Sequence, residues 1–275
     1  MIRGILHGYY RTGTTILWWI LQKSNPEIPI IYEPHSPGVI WELKSILENL
    51  MPPDLAQPLH GMPICQAHFM LGENVINRYL ENVVPKPIYT EENIDEAIDS
   101  IFIFHELDRD VYIKSNQLLC INSIAEKFKC KYVHIFRDPV EVLYSHMVKG
   151  KEVGDIFRFN LFYVSDILSV GRKLGWITGL EDNITAFLKV YLKFNHYIYS
   201  NLDKRGLFVK FEDIVSRPGK YMRIVAEHLG LKVDEIFLKV LDKSKVFRAD
   251  RKFRDLVESR YTAELKSILG ELRCI

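Results

Sequence analysis

The feature that most constrains this chain lies in its first fifteen residues. Gly8-Tyr9-Tyr10-Arg11-Thr12-Gly13-Thr14-Thr15 places two glycines five positions apart, between a short β-prone run and an apolar helical one. A strand over about Arg3 to His7 leads in, and a helix over Thr14–Lys23 leads out. Glycines let such a backbone turn tightly, so that successive N–H groups converge on an anion at a helix N-terminus, where the dipole favours negative charge. A complete nucleoside-triphosphate loop needs lysine after its second glycine to hold the β- and γ-phosphates. Thr14 stands there instead, and the nearest cation is Arg11.

Downstream, short β-branched or aromatic runs alternate with helical stretches. Strands are predicted over Ile28–Glu33, Asp110–Lys114, Tyr132–Phe136 and Leu207–Phe211, and helices over Trp41–Leu50, Glu73–Val83, Glu91–Ile101, Leu118–Phe128, Pro139 to about Lys149, Asp155–Leu174, Leu180–Leu202 and Lys220–Leu229. That alternation predicts βαβ units, and so an α/β, P-loop NTPase-like fold with a central, mostly parallel sheet flanked by helices. The 275 residues, 48% of them hydrophobic, suffice for a single domain over 1–275. Segments 34–105 and 155–202 are expected as helical and loop elaborations on the substrate side.

A second motif, Phe136-Arg137-Asp138-Pro139, puts Arg137 at the C-terminal end of the strongest strand, the edge where open α/β sheets bind ligands. Asp138 suits a helix N-cap and Pro139 its first turn. Ser145, about two turns later, lies on the same face as the helix start, so Arg137 and Ser145 can share one phosphate.

Arg11-Thr12-Gly13-Thr14-Thr15 resembles the 5′-phosphosulfate loop of sulfotransferases, in the arginine version of the tyrosylprotein and carbohydrate branch. IFRDPVEVLYSH is similar to that family's 3′-phosphate motif, in which Arg and Ser are likewise eight positions apart. The resemblance implies a sulfotransferase that moves a sulfuryl group from 3′-phosphoadenylyl sulfate to a hydroxyl or amine acceptor. It implies donor contacts from Arg11, Thr12, Gly13, Thr14, Thr15, Arg137, Ser145 and Phe211, the last bordering the adenine. Glu33 resembles the family's general base, with His35 competing for that role, and Lys114 resembles the lysine that steadies the sulfate. The cytosolic branch carries a catalytic histidine two positions after that lysine. This chain has Asn116 there, which shifts weight to Glu33.

A sulfuryl group carries less charge than a phosphoryl group, so no metal is required. The remaining histidines nearby, His7, His60 and His68, are expected to be packing or surface residues. The basic segment Lys243, Lys245, Arg248, Arg251, Lys252 and Arg254 holds candidates for a last 3′-phosphate contact, with the choice among them open. Two other functions remain: a P-loop kinase of small molecules or nucleotides, which the missing lysine disfavours, and a nucleotide-binding protein without turnover.

Net charge is +1, so no overall field attracts nucleic acid or a membrane surface. Cys65, Cys120, Cys130 and Cys274 form no CxxC pair, which fits free thiols in a reducing compartment. The apolar run Ile16–Leu21 is far short of the roughly 20 residues of a membrane span. A cytoplasmic protein without a signal peptide is expected, acting on a small-molecule, glycan or peptide acceptor. Neither the acceptor nor the oligomeric state is legible.

Overall fold

The strand that enters the glycine loop is the middle one of five. The computed structural model describes residues 1–50, 58–59, 62–63, 65–86, 88–152, 168–241 and 248–273. Its main sheet comprises β1 (Ile2–Gly8), β2 (Ile30–Tyr32), β3 (Val111–Ser115), β4 (Lys131–Phe136) and β5 (Gly206–Lys210), in the order β2-β3-β1-β4-β5. Every neighbouring pair is parallel. A parallel sheet covered on both faces calls for near-continuous apolar strands. β3 is buried along its whole length, and in β1 only Arg3 is exposed.

The helices include α1 (Thr14–Ser24), α2 (Pro37–Leu47), α3 (Glu73–Asn82), α4 (Ile94–His105), α5 (Ile121–Phe128), α6 (Pro139–Glu152), α7 (Asn183–Ser200), α8 (Phe211–Ser216), α9 (Pro218–Leu229), α10 (Arg251–Glu258) and α11 (Ala263–Arg273). α1 packs on β1 and β2, while α5 and α9 pack on β1 and β4. Trp18 of α1 is fully buried and donates from Nε1 to the Ile30 carbonyl at 2.7 Å, which pins the loop helix to the edge strand. Full burial of such a side chain contributes about 1.5–3 kcal/mol.

Differences from the sequence expectation lie mainly at element ends. The strand expected over Ile28–Glu33 shortens to Ile30–Tyr32, because Glu33 turns to φ 40°, outside any strand conformation. The strand expected through Phe211 stops at Lys210, and Phe211 is instead the first residue of α8. Pro58–Leu59 and Met62–Pro63 pair as a small antiparallel hairpin in a region expected to lack sheet. The charged C-terminal portion forms α10 and α11, with Leu265, Leu269 and Leu272 buried. Much of the helix expected over Asp155–Leu174, together with His60, Lys243, Lys245 and Cys274, lies outside the described residues. Cys65, Cys120 and Cys130 are buried free thiols.

Candidate active site

Because the five strands run the same way, their C-terminal ends form one edge, where ligands of open α/β sheets bind. β2 delivers Glu33 to it, β3 Lys114 and Asn116, β1 the glycine loop, β4 Arg137 and β5 Phe211. Register places these neighbours side by side: Tyr32 lies opposite Lys114, Gly8 opposite Ile135, and Phe136 opposite Lys210. Residues scattered from 8 to 211 thus meet along a single line.

The loop turns at Tyr9–Thr12, where the Thr12 N–H and hydroxyl both donate to the Tyr9 carbonyl, at 3.2 and 2.7 Å. Arg11 takes φ 68° in that turn and Gly13 takes φ 97° as the N-cap of α1. A positive φ is uncommon for a residue with a Cβ and is found where the surroundings enforce it. Both glycines are fixed by space as well. A Cβ on Gly8 would lie 2.8 Å from the Ile135 carbonyl oxygen, and one on Gly13 would lie 2.3 Å from the Phe211 ring. The loop therefore closes directly against Phe211.

Arg137 is 6% exposed. Its Nη1 donates to the Arg11 carbonyl at 3.2 Å, and its guanidinium carbon lies 5.1 Å from the Phe211 ring centre. Its backbone is held by Tyr191, whose hydroxyl donates to the Arg137 carbonyl at 2.6 Å. Burial lowers the Arg137 guanidinium from its ordinary value, opposed by the nearby Glu212 and Glu141 carboxylates. Asp138 caps α6 as expected, accepting from the Val140 and Glu141 N–H groups. Ser145 comes round to the loop, where its hydroxyl accepts from Arg11 Nε at 3.3 Å.

On the other side of β1, Glu33 and Lys114 form a buried ion pair. Lys114 is 0% exposed and sits 4.4 Å from the Tyr32 ring centre. Burial pulls its ammonium below the usual lysine range, while Glu33 pulls the other way. Glu33 Oε1 also accepts from Asn116 Nδ2 at 2.6 Å, and Asn116 Oδ1 accepts from the Thr14 hydroxyl at 3.1 Å. Thr15 Oγ1 and the Tyr32 hydroxyl lie 3.1 Å apart. The start of α1 is thereby wired to the carboxylate.

His35 does not join this group. Its fully buried ring lies 4.6 Å from the Tyr89 ring centre, with Nε2 3.4 Å from the Ala97 carbonyl of α4, and burial lowers it to about 4. Beside Arg137 and Phe211 opens a cleft of about 440 Å³ that Glu141, Glu212, Arg248 and Arg254 also line. Arg254 Nη2 meets Glu141 Oε1 at 2.6 Å. Of the C-terminal basic residues, Arg248 and Arg254 reach the cleft, whereas the Arg251 side chain is 94% exposed and pairs with Asp255. Tyr191 and Glu141 escaped the sequence. Glu141 had one available signal, its place one helical turn after Arg137; Tyr191 sits in an aromatic-rich helix with nothing to distinguish it.

A family model described as "Sulfotransferase family" matches residues 5–235. The chain belongs to the sulfotransferase family. The chain is 24% identical to an uncharacterized protein of Archaeoglobus fulgidus over 295 residues, covering 94% of this chain and 93% of that one. Among solved structures, it is similar to the sulfotransferase from Alicyclobacillus acidocaldarius, with TM-score 0.49 and 12% identity over 100% of this chain and 95% of that one. It is also similar to the sulfotransferase domain from the curacin biosynthetic pathway, with TM-score 0.49 and 15% identity over 98% of this chain and 97% of that one. Among the described residues, no helix is long and apolar enough to cross a membrane, and no group of three or more His, Cys, Asp or Glu side chains is arranged to hold a metal ion.

Proposed function

We propose that this protein moves a sulfuryl group from 3′-phosphoadenylyl sulfate to a hydroxyl or amine acceptor. The observation that carries this is the meeting of the two basic motifs: Arg11 donates to Ser145, and Arg137 donates to the Arg11 carbonyl. Two anion grips so joined suit one small molecule with a phosphate at each end. The site's shape supports the same donor, since glycines at 8 and 13 keep the loop narrow. The adjoining cleft offers an aromatic ring, Phe211, and the cations Arg137, Arg248 and Arg254 for a nucleoside and its 3′-phosphate.

In this scheme Arg11 and the N–H groups at the start of α1 bind the 5′-phosphosulfate, and Arg137 with Ser145 binds the 3′-phosphate. The donor supplies the sulfuryl group and a phosphate leaving group. Glu33 takes the acceptor proton, and Lys114 faces the oxygen on which negative charge develops. Glu33 is favoured over His35 because it contacts Lys114, whereas the His35 ring is turned to Ala97. The acceptor enters from the side of segments 34–105 and 155–202.

The test has two parts. Calorimetry should give tight binding of adenosine 3′,5′-bisphosphate and none of ATP with magnesium. Radiolabelled donor, offered with alcohols, phenols, sugars and tyrosyl peptides, should pass its sulfuryl group to one of these classes. Binding of ATP with magnesium alone would assign the kinase function instead. Bisphosphate binding without turnover on any acceptor would assign a non-catalytic one.

A further inference from the structure

We propose that Asn116 is the positioning residue for Glu33: it ties the carboxylate to Thr14 at the start of α1, so that Glu33 keeps its place when Lys114 turns to the donor. The proposal rests on the function proposed above, in which Glu33 takes the acceptor proton.

Glu33 Oε1 accepts two hydrogen bonds, one from Lys114 Nζ and one from Asn116 Nδ2. The two donors differ in kind. Lys114 is a buried cation whose charge Glu33 balances, and an incoming phosphosulfate competes for it directly. Asn116 is neutral, so an arriving anion leaves its hydrogen bond to Glu33 in place.

The orientation of the Asn116 amide follows from its partners. Its carbonyl faces the Thr14 hydroxyl at 3.1 Å, which must donate, and its NH2 faces the carboxylate, which can only accept. Reversing the amide would set an oxygen against Glu33. Asn116 is 5% exposed, which limits the water available to replace it.

The Glu33 backbone shows that its position is enforced. It takes φ 40°, with its N–H donating to the Lys114 carbonyl at 2.7 Å and its carbonyl accepting from the Ser36 N–H at 2.9 Å. A non-glycine residue persists in that region only when its surroundings over-determine it. Those two bonds fix the main chain, and the Thr14–Asn116 link fixes the end of the side chain. Thr14 also belongs to the phosphate loop, whose own turn is held by the Thr12 bonds to the Tyr9 carbonyl, so the loop supports the base and does not depend on Asn116. At the position where the cytosolic branch is expected to carry a catalytic histidine, this chain thus carries a side chain that acts through Glu33.

The test compares wild type with Asn116→Ala and the isosteric Asn116→Asp, both in the full chain. A base displaced by about 1 Å costs on the order of 10²-fold in rate. Both variants should therefore lose about 10²-fold in kcat while their calorimetric Kd for adenosine 3′,5′-bisphosphate stays at the wild-type value. A general packing defect would move both quantities. The isosteric variant retains the side-chain volume if alanine unfolds the protein. Wild-type kcat in both variants, or a loss confined to Kd, overturns the proposal. A readout free of turnover is the crystal structure of Asn116→Ala with the bisphosphate bound. There the Glu33 carboxylate should leave its place beside Thr14, and an unmoved carboxylate overturns the proposal. Should wild type itself transfer nothing to any acceptor, the proposed function fails, and this structure still decides whether Asn116 positions Glu33.

Discussion

Arg137 donates from Nη1 to the backbone carbonyl of Arg11 at 3.2 Å, across 126 positions of sequence. Arg11 returns the contact one step on, with its Nε donating to Ser145 on the helix that Arg137 precedes. Each motif is fastened by the other. The glycine loop and the strand-end arginine therefore form one continuous surface, and a change at either should be felt at both.

Arg137 offers a direct measure of that surface. Truncation to alanine removes a buried, charge-assisted donor and its packing on Phe211, an interaction class worth about 1.5–3 kcal/mol. Arg137→Ala should weaken adenosine 3′,5′-bisphosphate binding by roughly 10- to 100-fold in calorimetry. Lysine keeps the charge but loses the planar fork, so Arg137→Lys should restore only part of the affinity. Full affinity in the lysine variant would mean that charge alone is recognised.

Gly13 tests the loop's closure on Phe211. Gly13→Ala must accommodate an alanine at φ 97° and a Cβ 2.3 Å from an aromatic carbon. The first effect costs about 1–2 kcal/mol and the second about 1–3 kcal/mol. Gly230 is the matched control: it shares the left-handed conformation, with φ 77° and ψ 26°, and a Cβ there would lie at an ordinary contact distance of 3.8 Å from the Tyr112 hydroxyl, so Gly230→Ala carries the backbone cost without the steric one. Urea unfolding should show the Gly13 variant losing more stability than the Gly230 variant. The double change Gly13→Ala with Phe211→Leu should recover part of the difference. Equal losses at the two glycines would remove the steric argument.

The sheet was legible because its strands are short apolar runs bounded by turn residues, and the loop because two glycines and a following helix leave little other choice. Strand ends were less legible. Glu33 leaves β2 and Phe211 opens α8 for reasons set by neighbours far away in sequence, namely the Lys114 carbonyl and the glycine loop. His35 shows the same limit more sharply. Two residues from Glu33, it is equally plausible as a base by type and spacing, yet its ring faces α4. Only tertiary packing separates the two. Asn116 was visible as a departure from the cytosolic pattern, but its link from Thr14 to Glu33 requires strand register to be known.

The Glu33–Lys114 pair predicts a split between stability and turnover. Removing one partner of a buried pair strands the other charge and costs about 3–5 kcal/mol. Glu33→Gln and Lys114→Met should each lower the urea midpoint substantially, and the double variant should lose less than the sum of the two. Glu33→Gln should also reduce kcat by about 10²- to 10⁴-fold, the usual worth of a general base, with donor affinity largely kept. Additive stability losses would show that the pair does not couple, and an unchanged kcat would remove Glu33 from the chemistry.

Acid should unfold this protein readily, because five of the described histidines are buried in neutral form. Burial lowers His35 and His134 to about 4, lowers His68 and His146 to about 3, and takes His7 well below its usual value. In the sheet, His7 Nδ1 lies 2.8 Å from His134 Nδ1, His7 Nε2 accepts from the Leu118 N–H, and His134 Nε2 faces Asn195 Oδ1 at 2.8 Å. Neutral rings satisfy all three contacts; a proton added to His134 sets two N–H groups against each other between β1 and β4, and one added to His7 sets its Nε2–H against the Leu118 N–H. All five rings bind protons less tightly folded than unfolded, so their contribution is complete above the unfolded value of about 6.5 and is lost as pH falls below it. Each adds up to about 1.4 kcal/mol per pH unit to the slope. Urea midpoints should therefore fall steeply from pH 7 to pH 5. His68 singles out one contribution, since neither of its ring nitrogens has a hydrogen-bond partner among the described residues. His68→Leu should flatten the slope by close to one proton at little cost at pH 7.5. Stability that stays level from pH 7 to pH 5 would show that these rings accept protons without leaving the fold.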